Sequence, residues 1–132
     1  MKGFGSNDRK IKKSEFIKIT TEQKDKLISN AFSFHSSGRI KQAAEIYNFL
    51  IKNRYFDPRI FNNLGTIYLQ LREFDKAILL FEESIKKFPG SLEPYSNLAN
   101  VLLKKGNSDA AKKYLEKAIE INPKYLKAYS NL

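Results

Sequence analysis

Asparagine recurs at positions 63, 97 and 131, each 34 residues from the next. An asparagine amide carries both a donor and an acceptor, so a row of them can pair with the N–H and C=O groups of an extended peptide whatever its side chains. Little else in the chain could do chemistry. His35 is the sole histidine and there is no cysteine, which removes thiol chemistry and leaves almost nothing from which to build a metal centre. The glycine-containing segments Ser37-Gly38-Arg39 and Lys105-Gly106-Asn107 follow no strand and lack the glycine-rich fingerprint of a phosphate cradle. The expectation is a binding protein rather than an enzyme, with no cofactor and no metal.

The elements that must position those amides share the same period. Phe61, Leu64, Tyr68, Ala77, Phe81 and Pro89 are answered by Tyr95, Leu98, Leu102, Ala111, Leu115 and Pro123. Upstream the offset gives Leu27, Phe34, Ala43 and Tyr47, and downstream Tyr129 and Leu132. Phe61, Leu64, Gly65 and Tyr68 fall at i, i+3, i+4 and i+7, one stripe of a helix. Ala31, Gly65 and Ala99 occupy equivalent places and keep that stripe thin. Ala77, Phe81 and Ser84, then Ala111, Leu115 and Ala118, supply the facing stripe of a second helix. Gly38 and Gly106 fall in the turns between paired helices, where a positive φ costs glycine little; Arg72 stands at that place in the middle unit. Asp57 before Pro58 reads as a helix cap followed by proline at the first helical position, and Ser91 reads as another cap. A single unit would leave half its apolar surface wet, so the units must stack.

The pattern Phe61-x-x-Leu64-Gly65-x-x-Tyr68, Ala77-x-x-x-Phe81, Pro89 resembles the tetratricopeptide-repeat consensus over roughly residues 24–132. That resemblance implies an all-α solenoid of antiparallel helix pairs wound as a right-handed superhelix. It divides the chain into a basic, flexible leader (1–20), three repeats (21–57, 58–91 and 92–125) and the start of a fourth (126–132). The first repeat departs from the pattern, with Asn30 where the others have leucine and Tyr55 where they have proline.

A helical wheel with Phe61 at its zero places Arg59, Asn63, Thr66 and Gln70 opposite the buried stripe. One repeat later the set is Glu93, Asn97, Asn100 and Lys104, and one repeat earlier Asp25, Ser29, Phe32 and Ser36. The resemblance implies that this stripe lines a concave groove. Tyr95-Ser96-Asn97-Leu98-Ala99-Asn100 and Tyr129-Ser130-Asn131-Leu132 further resemble repeats of the O-linked N-acetylglucosaminyltransferases, whose inner-face asparagines hold a peptide backbone. That likeness implies the same role for Asn63, Asn97 and Asn131. The competing reading is that a short polar residue suits a solvated helix face, or bonds within its own repeat. A chaperone-type carboxylate clamp is matched only by Asn97 and Lys127, while Asn62, Thr66 and Asn131 replace its other members, so that ligand class is not expected. The candidate groove residues are Asn63, Asn97, Asn131, Arg59, Thr66, Gln70, Asn100, Lys104, Lys127 and Phe32.

The net charge of +10 is spread along the chain: +3 over residues 1–23, then +3, +1 and +2 over the three repeats, with Lys127 last. Pairs such as Glu82 with Lys86 and Glu83 with Lys87 sit at helical spacing and read as a solvated outer face. The densest basic cluster is Arg9, Lys10, Lys12 and Lys13 in the leader. No aromatic platform accompanies it, which argues against specific nucleic-acid binding. No apolar run approaches the roughly 18 residues of a membrane span, no secretory signal is visible, and a cytoplasmic setting is the simplest reading. Leu132 falls inside a first helix, so the expectation is the N-terminal part of a longer protein.

The expected function is a protein-interaction scaffold that binds an extended peptide in the groove. The alternatives are a substrate-recognition arm of a larger transferase or modifying enzyme with its catalytic domain beyond Leu132, and self-association through the exposed C-terminal end. Phe32 stands where Thr66 and Asn100 follow. It is either a ligand anchor or covered by Phe16–Ile19, and the covered arrangement is the one expected.

Overall fold

The structure is a computed structural model that describes residues 15–125. Among the described residues six helices follow one another: α1 (Thr21–Ser36), α2 (Ile40–Lys52), α3 (Pro58–Gln70), α4 (Phe74–Lys87), α5 (Glu93–Lys104) and α6 (Ser108–Ile121). A short 3-10 turn over Pro123–Tyr125 comes last. No strand occurs among the described residues.

Local chemistry sets the helix ends. Thr20 and Gln23 form a reciprocal capping box at the start of α1. The Asp57 carboxylate accepts from the Arg59 N–H with Pro58 behind it at the start of α3, and Asn107 caps α6 through the Ala110 N–H. Ser91 does not cap α5. The residue before that helix is Leu92, already in a helical conformation and without a side-chain bond, while the Ser91 N–H turns back to the Phe88 carbonyl. The Pro89-Gly90 corner closes on itself and leaves the serine outside the helix start.

One turn type closes the three first helices among the described residues, α1, α3 and α5. Gly38 and Gly106 have φ of 86° and 82°, and the next residues, Arg39 and Asn107, donate back to the carbonyls of Phe34 and Leu102. These bonds satisfy carbonyls that a helix end would otherwise leave without donors. Arg72 takes the same left-handed conformation, with φ of 60°, although it is not glycine. Its guanidinium lies 5.1 Å from the centre of the Phe74 ring, a contact that offsets part of the backbone cost.

Packing follows the period. A Cβ added to Gly65 would lie 2.4 Å from the Phe81 ring, so α3 and α4 approach at a distance that only glycine permits opposite phenylalanine. Ala31 and Ala99 are fully buried at the same place. Ile60, Leu64 and Ile67 of α3 join Ala43, Tyr47 and Leu50 of α2 in one core cluster. Leu98 and Val101 of α5 join Ala77 and Phe81 of α4 in the next. The equivalents of Ile60, Leu64 and Ile67 in α1 are Lys26, Asn30 and Ser33, all exposed. The front of the array is therefore polar where the internal faces are apolar.

Helices α1 and α3 touch, as do α3 and α5, whereas α2, α4 and α6 make no such contact with one another. First helices that meet while second helices splay produce a curved stack, with α1, α3 and α5 on its concave side.

Candidate functional site

The concave face is built from the outward residues of α1, α3 and α5. At the α1–α3 seam a depression of about 530 Å³ is lined by Asp25, Ile28, Ser29, Phe32, Arg59 and Asn63. Ile28 lies buried at 3% exposure, while Phe32 is 57% exposed.

Arg59 is committed before any ligand arrives. Its guanidinium donates to Asp25 at 2.9 Å and to Asp57 at 2.8 Å, and Lys24 stands 3.4 Å from the same Asp57 carboxylate. The Arg59 hydrogen bond is the chief reason that the Asp57 carboxyl is held at about 2, with burial opposing it. Those carboxylates raise the Arg59 pKa in turn. Two carboxylates and two cations close into a neutral network at one end of the depression. Arg59 is thus a bracket between α1 and α3, and a free cation for a ligand is not what it offers.

The asparagines are unequal. Asn63 donates its Nδ2 to the Tyr47 hydroxyl at 2.9 Å, and Tyr47 is fully buried in the core of the first helix pair. Burial raises the Tyr47 pKa, which keeps the hydroxyl protonated. Asn63 is therefore a packing residue as well as a groove residue, and its reach into the core was hidden from a wheel that gives direction only. Asn97 lies half-buried on α5, where the residue equivalent to Tyr47 is Phe81, which has no hydroxyl. Among the described residues its amide has no side-chain partner. Asn131 and Lys127 lie outside the described residues.

The other candidates divide in the same way. The Thr66 hydroxyl donates to the Asn62 carbonyl at 2.8 Å, a bond within its own helix. Gln70 Oε1 lies 2.5 Å from His35 Nε2 and ties α3 to α1 at the far end of the groove. Asn100 and Lys104 are exposed. Of the candidates within the described residues, Phe32, Asn97, Asn100 and Lys104 keep their side chains free of partners. Two residues were missed: Tyr47, signalled by a hydroxyl where the other repeats carry Phe81 and Leu115, and Ile28, whose place is taken by Asn62 and Ser96.

Phe32 is not covered by Phe16–Ile19. That segment docks elsewhere: the Ile17 N–H donates to Asn53 Oδ1 at 2.8 Å, the Ile19 N–H donates to the Tyr55 hydroxyl at 2.7 Å, and the Arg54 guanidinium lies 5.4 Å from the Phe16 ring centre. These anchors sit at the α2–α3 corner, beside the start of α1. Phe32 lies 11 residues from that start, about 16 Å along the helix. Tyr55 departs from the repeat pattern where its hydroxyl receives this segment. Among the described residues no three His, Cys, Asp or Glu side chains form a metal-binding group, and no described helix is long and apolar enough to cross a membrane.

The chain is similar to SycD, a type III secretion translocator chaperone of Yersinia enterocolitica, with a TM-score of 0.76 and 24% identity over 87% of this chain and 89% of that one. PcrH from Pseudomonas aeruginosa gives a TM-score of 0.77 and 17% identity, covering 86% and 89%. At these identities the likeness is one of fold. In sequence, 86 residues are 33% identical to a probable UDP-N-acetylglucosamine–peptide N-acetylglucosaminyltransferase of Arabidopsis thaliana, SEC. The match covers 65% of this chain and spans only 9% of that enzyme. Two tetratricopeptide-repeat models match residues 34–91 and 68–132. Their joint span, from the end of α1 onward, takes in Gly38 and Gly106 of the turns, Gly65 and Ala99 at the helix seams and the facing stripes that contain Phe81 and Leu115. The chain belongs to the tetratricopeptide-repeat family.

Proposed function

We propose that this chain is a protein-interaction scaffold that holds an extended segment of a partner protein against α1, α3 and α5. The observation that carries the reading is the concave face itself. Its Phe32, Asn97, Asn100 and Lys104 side chains are unpaired, and the depression beside Phe32 is open. Two proteins of the same fold are found in complex with such segments: SycD with a peptide of the translocator YopD, and PcrH with the chaperone binding region of PopB. Selection of random peptides of about a dozen residues on the full chain, followed by chemical-shift mapping, tests the proposal. Shifts confined to the inner faces of α1, α3 and α5 are expected. Shifts on the outer faces of α2, α4 and α6 would overturn it.

The sequence match to the plant transferase favours a second reading, in which the same groove is the substrate-recognition arm of a larger transferase whose catalytic domain lies beyond Leu132. The groove chemistry is common to both. The full reading frame separates them.

A further inference from the structure

The two halves of the concave face differ in chemistry. At the α1–α3 seam the depression has an apolar floor and wall, Ile28 and Phe32. One repeat on, the same positions are Asn62 and Thr66, and Asn100 follows in α5. The groove is therefore apolar at its front and amide-lined toward its rear.

The rim of the depression carries no unpaired charge, because Arg59 is bracketed by Asp25 and Asp57 and Lys24 faces Asp57. A charged side chain entering it would give up water without gaining an opposite charge. A large uncharged side chain would instead cover Phe32 and reach Ile28, removing exposed aromatic surface from water. The polar groups left there are the Ser29 hydroxyl and the Asn63 Oδ1, since the Asn63 Nδ2 is given to Tyr47. Both suit the main chain beside such a side chain.

Resting on the peptide-binding reading above, we propose that the α1–α3 depression is the anchor pocket of the groove. It takes one aromatic or large aliphatic side chain of the partner segment, while Asn97 and Asn100 pair with that segment's main chain. Packed helices lie roughly 9 Å apart, so the pocket and Asn97 are about 14 Å apart, a span of about four extended residues. The recognised motif is one large apolar residue, followed or preceded at about that distance by a stretch whose side chains are unconstrained.

The test is parallel selection of random peptides on the full wild-type chain, on Phe32→Thr and on Asn97→Ala, with affinities of the selected peptides measured on all three. Wild type is expected to select one fixed aromatic or large aliphatic position. Phe32→Thr, which copies Thr66, is expected to lose that preference and bind the same peptides about tenfold more weakly. Asn97→Ala is expected to weaken all of them to a similar degree without changing the preference. Peptides that bind without an apolar consensus, or a preference that survives Phe32→Thr, would overturn the anchor and leave the groove reading standing. No peptide bound by wild type would remove both. If Phe32→Thr dissociates a dimer and leaves selection unchanged, the depression is a self-contact and the anchor is overturned.

Discussion

Asn63 of α3 reaches across the seam between the first two helix pairs and donates its amide to the Tyr47 hydroxyl, fixing a groove residue to the core of the preceding repeat. Asn97 has Phe81 in the corresponding place. Two residues that look identical in the repeat pattern therefore answer to different forces.

Replacing Asn63 by alanine should destabilise the fold by about 1–3 kcal/mol, because a buried tyrosine hydroxyl is left unpaired. Tyr47→Phe should cost about 0.5–1.5 kcal/mol, and the double variant less than the sum. Asn97→Ala should stay within about 0.5 kcal/mol. Urea unfolding of the four variants measures this; additivity at 47 and 63 would mean that the bond contributes nothing.

Gly65→Ala should destabilise by about 1–3 kcal/mol despite the better helix propensity of alanine, because its Cβ would collide with the Phe81 ring. The third repeat contains the remedy, since Ala99 clusters there with Leu115. Gly65→Ala combined with Phe81→Leu should recover most of the loss. A double variant as unstable as the sum of the singles would place the clash elsewhere.

The helix pairs, the glycine turns and the buried stripes were legible in the sequence because each depends on residues a few positions apart and recurs along the chain, the pairs and stripes three times and the glycine turn twice. Arg72 was legible as an exception, and the structure shows it adopting the glycine conformation. What escaped were contacts made once. Tyr47 and Asn63 meet through a hydroxyl that one repeat alone carries, and Ile17 meets Asn53 across 36 residues with no period to announce it. Ser91 misled because its type suits a cap while the adjoining Pro-Gly corner holds it away from the helix.

The docked segment before α1 should be loosened without unfolding the repeats. Asn53→Ala removes the acceptor for the Ile17 N–H, and Tyr55→Phe removes the acceptor for the Ile19 N–H. Each should speed hydrogen exchange at that amide by about tenfold, consistent with loss of a bond worth about 1 kcal/mol. Exchange rates within α3 and α4 should not change. Equal rates at Ile17 and Ile19 in variant and parent would show that the segment is held by its apolar contacts alone.

Acid should probe the bracket at Asp57. Its carboxyl titrates at about 2, below its ordinary 3.8, so the contribution of the Arg59 pair is fully present above about pH 4 and declines as the pH falls toward 2. The urea midpoint of the parent should drop over that window. Asp57→Asn, which keeps a capping side chain, should start lower and fall less steeply there. Parallel curves for parent and variant would assign the acid sensitivity to other carboxylates.

Because the first helices touch and the second helices splay, the line through α1, α3 and α5 is the inner side of a bent strip. Flexing such a strip changes spacings more on its far side than on its near side. By that geometry a bend of the array alters the spacing of α2, α4 and α6 more than it alters the spacing of α1, α3 and α5. Under the proposed peptide-binding reading, a segment laid along the inner side would then meet the less variable spacing of a flexing body, and the separation of the residues it presents would follow that inner spacing.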